Sequence, residues 1–145
     1  MVPARIFANT NHINMKKTAI LIAIVCLTML TASAQLANSK WKGIIRIPSD
    51  SIGTLKPFLV TWTFSRDTAT MLYENPEMQP EFMTYTTKGD KIMFKKVSGD
   101  VPCNNTDLLT CTYSVENDQL TFKMVSDACK ARNQADASQP FDRVK

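Results

Sequence analysis

Histidine and glycine are nearly missing from this sequence. His12 is the single histidine, and glycine occurs 4 times in 145 residues. With glycine only at Gly43, Gly53, Gly89 and Gly99, no glycine-rich phosphate loop can be built. A surplus of charge is also lacking. The whole chain carries +4, but Arg5, Lys16 and Lys17 precede residue 35 while all 13 acidic residues follow it. Residues 35–145 therefore set 14 basic against 13 acidic side chains, a net of about +1. That balance excludes a strongly basic nucleic-acid binder. Long apolar runs are missing too, because Thr18–Leu30 covers only 13 residues, short for crossing a bilayer.

That run has a different reading. Lys16-Lys17 is a positive n-region, Thr18–Leu30 an apolar h-region, and Ala32-Ser33-Ala34 an A-x-A cleavage site before Gln35. The order is that of a secretory signal peptide. Met15 directly precedes the two lysines and is the expected start of translation. The expected organisation is an N-terminal extension and signal over 1–34, cleaved after Ala34, and one domain over 35–145. Ala23-Ile24-Val25 before Cys26 makes a poor lipobox, so cleavage is preferred to a lipid anchor at Cys26. Removal of the signal removes His12. Ser-His-Asp and Cys-His catalysis and histidine metal ligation are then excluded, and no cofactor or metal is expected.

The exported part keeps Cys103, Cys111 and Cys129. An odd number implies one disulfide and one free thiol. Cys103 follows Pro102 in a loop, Cys129 lies in a polar segment, and Cys111 sits mid-strand on an apolar face. The expected bridge is Cys103–Cys129, with Cys111 acting as a small hydrophobe.

The rest of the pattern is β. Trp41, Gly43, Ile45 and Ile47 share a face and Pro48 ends that run; Phe58, Val60, Trp62 and Phe64 alternate against polar neighbours. Further strands are expected over Thr68–Glu74, Glu81–Thr87, Lys91–Val97 and Leu108–Val115. A seventh carries Leu120, Phe122 and Met124 inward, and Phe141–Val144 closes. Turns at Arg66-Asp67, Lys88-Gly89-Asp90 and Glu116-Asn117-Asp118 separate them, and a short helical turn is expected within Asp127–Ala137. Eight short strands with tight connections suit an up-and-down antiparallel barrel, which removes exposed edges. A two-sheet sandwich is the alternative with the same strand count.

The C-terminal half adds a resemblance. A cysteine at 103, the hairpin Tyr113-Ser114-Val115-Glu116-Asn117-Asp118-Gln119-Leu120-Thr121, then Asp127-Ala128-Cys129-Lys130-Ala131-Arg132, then Phe141-Asp142-Arg143, resembles small secreted bacterial lipocalin-like (calycin-type) proteins. Trp41-Lys42-Gly43 holds the tryptophan and glycine of their first strand in reversed order. The resemblance implies an eight-stranded barrel in which a first-strand tryptophan plugs one end beneath a late arginine. Here those are Trp41 and Arg143, with Arg132 the second choice, in a structural role.

For the interior, two readings stay open. An apolar ligand pocket in the barrel mouth would be lined by Trp62, Phe64, Tyr73, Tyr85, Phe94, Tyr113 and Phe122. Alternatively those side chains simply fill an eight-stranded barrel. Two acidic pairings, Glu74 with Glu77 and Asp118 with Asp127, read as solvated turn carboxylates, and Lys91, Lys95 and Lys96 as solvent-facing lysines. The function expected is non-covalent binding of a small apolar ligand by a periplasmic or secreted protein that is not an enzyme, without nucleic acid or a transmembrane span. The alternative is an exported inhibitor or interaction module, meeting an extracellular or periplasmic protein partner through loops 49–56, 75–80 and 98–107.

Overall fold

The computed structural model of the protein describes residues 35–48 and 54–145. The signal segment 1–34, with Met15, Cys26 and the cleavage site, lies outside the described residues. The barrel belongs to the unit Ala32–Lys145.

Eight antiparallel strands close in sequence order: β1 (Ser39–Pro48), β2 (Leu55–Phe64), β3 (Thr68–Tyr73), β4 (Glu81–Lys88), β5 (Lys91–Ser98), β6 (Leu108–Glu116), β7 (Gln119–Asp127) and β8 (Phe141–Arg143). A single 3-10 turn, Arg132–Gln134, precedes β8. This is the up-and-down barrel that the alternating pattern predicts, and the sandwich is set aside. Five strands end one residue from the expected position, and β2 begins earlier, at Leu55, so Pro57 lies inside a strand, opposite Arg46.

The two ends of the barrel are built differently. At one end, short turns join β2 to β3, β4 to β5 and β6 to β7. Asn117 and Asp118 have φ of 52° and 60°, the pair of positive values that a tight two-residue hairpin requires. The same end holds the start of β1 and all of β8. Trp41 there is fully buried, with the Arg143 guanidinium carbon 4.3 Å from its ring centroid. The Trp41 indole N–H donates to Ser39 Oγ at 2.6 Å, and the Ser39 hydroxyl donates to the Leu36 carbonyl. Arg143 Nε lies 3.0 Å from Asp118 Oδ1 but off its N–H direction, so that contact is coulombic. A partly exposed cation over an indole contributes about 1 kcal/mol. Arg132 takes no part in this plug.

The opposite end carries the long connections. The β5–β6 loop is tied to the segment after β7 by the Cys103–Cys129 disulfide, with Cys111 left free and buried. A disulfide suits an oxidising compartment. Among the described residues, no helix is long and apolar enough to cross a membrane. Because β8 has three residues, it covers only the lower part of the seam between β7 and β1. Higher up the segment after β7 takes over: Arg46 and Asp136 exchange backbone hydrogen bonds of 2.8 Å in each direction.

Inward faces follow the alternation, with two corrections. Met124 was expected inside with Leu120 and Phe122, but it is 39% exposed. Met124 keeps the parity of Phe122 and pairs with the buried Cys111; the register shifts just beyond it, where Val125 is an extra residue before Ser126 pairs with Thr110. Lys96 was expected in solvent, yet its side chain is 10% exposed. It has the same parity as Ile92 and Phe94 and pairs with Met83 in the register that sets Phe94 opposite Tyr85; the shift between Phe82 and Met83 lies just beyond it.

Candidate functional site

The seven interior residues picked out from the pattern divide into two groups. Phe64, Tyr85 and Phe94 pack as a floor at the tight-turn end. Phe64 stands edge-on to Tyr85 with centroids 5.4 Å apart, and stacks on Trp62 at 5.7 Å. The Tyr85 hydroxyl donates to the Ser65 carbonyl at 2.8 Å, so it is a satisfied core tyrosine. Its facing is settled because Phe82 is 44% exposed whereas Met83 is buried. Burial holds the Tyr85 phenol above its usual pKa.

Trp62, Tyr73, Tyr113 and Phe122 instead line a cavity of about 860 Å³ above that floor. Ile45, Ile47, Met71, Met83, Leu109 and Cys111 complete its apolar wall. The cavity continues past Met124 to Ala131, Ala135 and Ala137 in the segment that fills the upper seam. It also takes in a strip beside Thr112, Ser114 and Lys123 of β6 and β7, of which Ser114 and Lys123 are exposed, so the barrel interior is only a part of that volume. The filled-core reading therefore describes the lower half of the barrel, and the hollow reading the upper half. The cause is local. Aromatic rings meet between the tight turns, while at the other end the strands have long connections and β8 stops short.

Polar groups in this cavity are of two kinds. The first is a satisfied rim. Glu81 is 4% exposed and accepts the Val101 N–H at 2.8 Å, with Lys96 Nζ 3.8 Å from its other oxygen. The Lys96 ammonium donates to the carbonyls of Gly99, at 2.8 Å, and Val101. Gly99 has φ of 132°, and a Cβ there would fall on the Glu81 carboxylate. Burial raises the Glu81 pKa against the opposing pull of the Val101 amide and Lys96. Opposite, Arg132 grips Asp127 through two hydrogen bonds, Nε to Oδ2 at 2.6 Å and an Nη to Oδ1 at 2.7 Å. The Asp127 side chain is fully buried and Arg132's is 15% exposed, so this pair is an enclosed clamp beside Cys129.

The second kind is unsatisfied. Trp62 Nε1, the Tyr73 hydroxyl and the Tyr113 hydroxyl are buried with no hydrogen-bond partner among the described residues. Burial, then the nearby Glu81 charge, pushes the Tyr73 phenol well above its usual range. Cys111 is pushed up to about 11, first by burial and then by Asp127, which leaves it a neutral thiol.

The acidic pairs considered from sequence do not meet. Glu74 pairs with Lys42, Asp118 with Arg143 and Asp127 with Arg132. Glu81 was overlooked as a site residue, although it shares strand parity with the inward Met83 and Tyr85. Among the described residues, no group of three or more His, Cys, Asp or Glu is placed to hold a metal ion. Comparison with family models, curated proteins and solved structures gave no match.

Proposed function

We propose that residues 35–145 form an exported lipocalin-like barrel that binds a small, mostly apolar molecule non-covalently in its upper half. The observation that carries this reading is the hollow upper half of the barrel, the interior part of a volume of about 860 Å³, walled by Ile45, Ile47, Met71, Met83 and Leu109 with Trp62, Tyr73 and Phe122. Sites for small molecules span about 300–1,000 Å³ and have this mix of apolar lining and a few polar groups. Binding is preferred to catalysis because the two enclosed carboxylates already have partners: Glu81 has Lys96 and the Val101 amide, and Asp127 has Arg132. Export is supported by the signal-like order before Gln35 and by the disulfide.

Mass spectrometry of the protein exported by a bacterial host tests both parts. The denatured mass is expected to start at Gln35 and to lack two hydrogens for the disulfide. The native mass is expected to exceed it by one small molecule. Equal masses, together with no uptake of an apolar fluorophore, would overturn the binding reading.

A second reading rests on the rim. The β5–β6 loop is held by the Cys103–Cys129 bridge and by the Glu81 contact to Val101, which makes it a preorganised edge for a protein partner. Loop substitutions within 75–80 and 98–107 would then abolish partner capture while leaving small-molecule uptake intact.

A further inference from the structure

Resting on the binding reading, the geometry points to an uncharged occupant that carries an oxygen acceptor, such as a ketone, ester or ether, on a ring-sized apolar body. Trp62 Nε1 and the Tyr113 hydroxyl would receive that oxygen. Trp62 is 7% and Tyr113 6% exposed, both line the cavity, and neither polar atom has a partner among the described residues. Folded proteins seldom leave such groups unmade. An indole N–H can only donate, and a phenol can also donate, so what the two share is the ability to hold an oxygen acceptor. Each adjoins Phe122, which lies 6.0 Å from Trp62 ring to ring and opposite Tyr113 across β6 and β7.

The charge of the occupant follows from the cations. Within the barrel, Lys96 is occupied by Glu81 and two carbonyls, and Arg132 by both oxygens of Asp127; Lys123 borders only the exposed strip of β6 and β7, on the opposite strand parity from Phe122. A carboxylate ligand would enter without a counter-charge of its own, at a heavy desolvation cost. A neutral carbonyl brings the same acceptor without that cost.

Three probes with one ring body separate the possibilities: naphthalene, 2-acetylnaphthalene and 2-naphthoate, titrated calorimetrically into the disulfide-bonded protein. The ketone is expected to bind about tenfold more tightly than the hydrocarbon, the effect of one to two net hydrogen bonds, and the carboxylate most weakly. In Tyr113→Phe, and separately in Trp62→Phe, the ketone-to-hydrocarbon ratio should fall several-fold. Tyr113→Phe removes only a hydroxyl and carries the test if Trp62→Phe does not fold. A ratio near one in the unaltered protein, as trapped water on these donors would give, overturns the proposal. So does a ratio unchanged in both variants, or tightest binding by naphthoate. Hydrocarbon binding without ketone preference sinks this inference alone, whereas no binding of any probe sinks the apolar-ligand reading with it.

Discussion

An alanine at Gly43 would place its Cβ 2.5 Å from Cδ1, 3.0 Å from Cγ and 3.1 Å from Cα of Phe141. Ordinary carbon contacts lie at about 3.5–4.0 Å, so the overlap with the ring is about 1 Å. Phe141 is fully buried and packs against Phe122 with centroids 5.9 Å apart, which leaves the ring little room to swing. The approach to Cα means that β8 itself must shift, and β8 has only three residues holding β1 to β7. Overpacking of this kind costs about 1–3 kcal/mol. Against it stands about 0.4–1 kcal/mol that alanine contributes by restricting the unfolded chain. The clash wins, and Gly43→Ala is expected to destabilise by about 2 kcal/mol, or about 8 °C in Tm for a domain of this size. Urea unfolding followed by tryptophan fluorescence, with the disulfide intact, measures it. The cycle with Phe141→Val, which lacks the ring, is the stricter form. Gly43→Ala should cost clearly less in that background, where the ring overlap is gone and the 3.1 Å approach to Cα remains, a coupling of about 1 kcal/mol. A stabilising Gly43→Ala, or effects that add within about 0.5 kcal/mol, would refute the account of how the barrel closes.

Three other outcomes are expected. Replacing Cys103 and Cys129 by alanine opens a link of sequence separation 26, and unfolding experiments should show a loss of about 3.5 kcal/mol in the chain-entropy treatment. Because burial raises the folded-state pKa of Glu81, its contribution to stability is fully present below the unfolded-state pKa and lost as pH rises through the folded one. The stability of the unaltered protein minus that of Glu81→Gln should therefore fall as pH rises above the ordinary glutamate range, and a rise would contradict the assignment. With its pKa near 11, Cys111 should resist iodoacetamide at pH 8 in the native state and react after unfolding, as peptide mass mapping would reveal.

Much of the architecture was legible along the chain, because a strand's side chains alternate with period two and a barrel buries one face. The inward positions of Trp62, Phe64, Ala69, Met71, Ile92, Phe94, Leu120 and Phe122 follow from that rule alone. The same rule put Cys111 on an apolar face and so left Cys103 and Cys129 to pair. The rule also carried Glu81 and Lys96 inward, but their charges argued for solvent. What makes both tolerable is the Val101 amide and the missing Cβ of Gly99, contacts between segments up to 20 residues apart. Met124 holds the inward parity of Phe122, opposite Cys111, yet stays 39% exposed beside the bulge at Val125, which leaves no mark in the hydrophobic pattern.

Local sequence thus determined the strands, their inward faces, the hairpin at Asn117-Asp118 and the likelihood of one particular disulfide over its alternatives. The lipocalin-like resemblance implied Trp41 and Arg143 as an end plug, and the tertiary structure brought them within 4.3 Å. Only the closed barrel decided which aromatic residues pack as a floor and which face open space. Trp62 and Phe94 obey the same alternation, yet one borders the cavity and the other does not. The difference lies in the short reach of β8, the long connections at one end and the seam they fill. Period-two patterning encodes which side of a sheet a residue faces, whereas its depth along the barrel axis depends on how all eight strands stagger as they close.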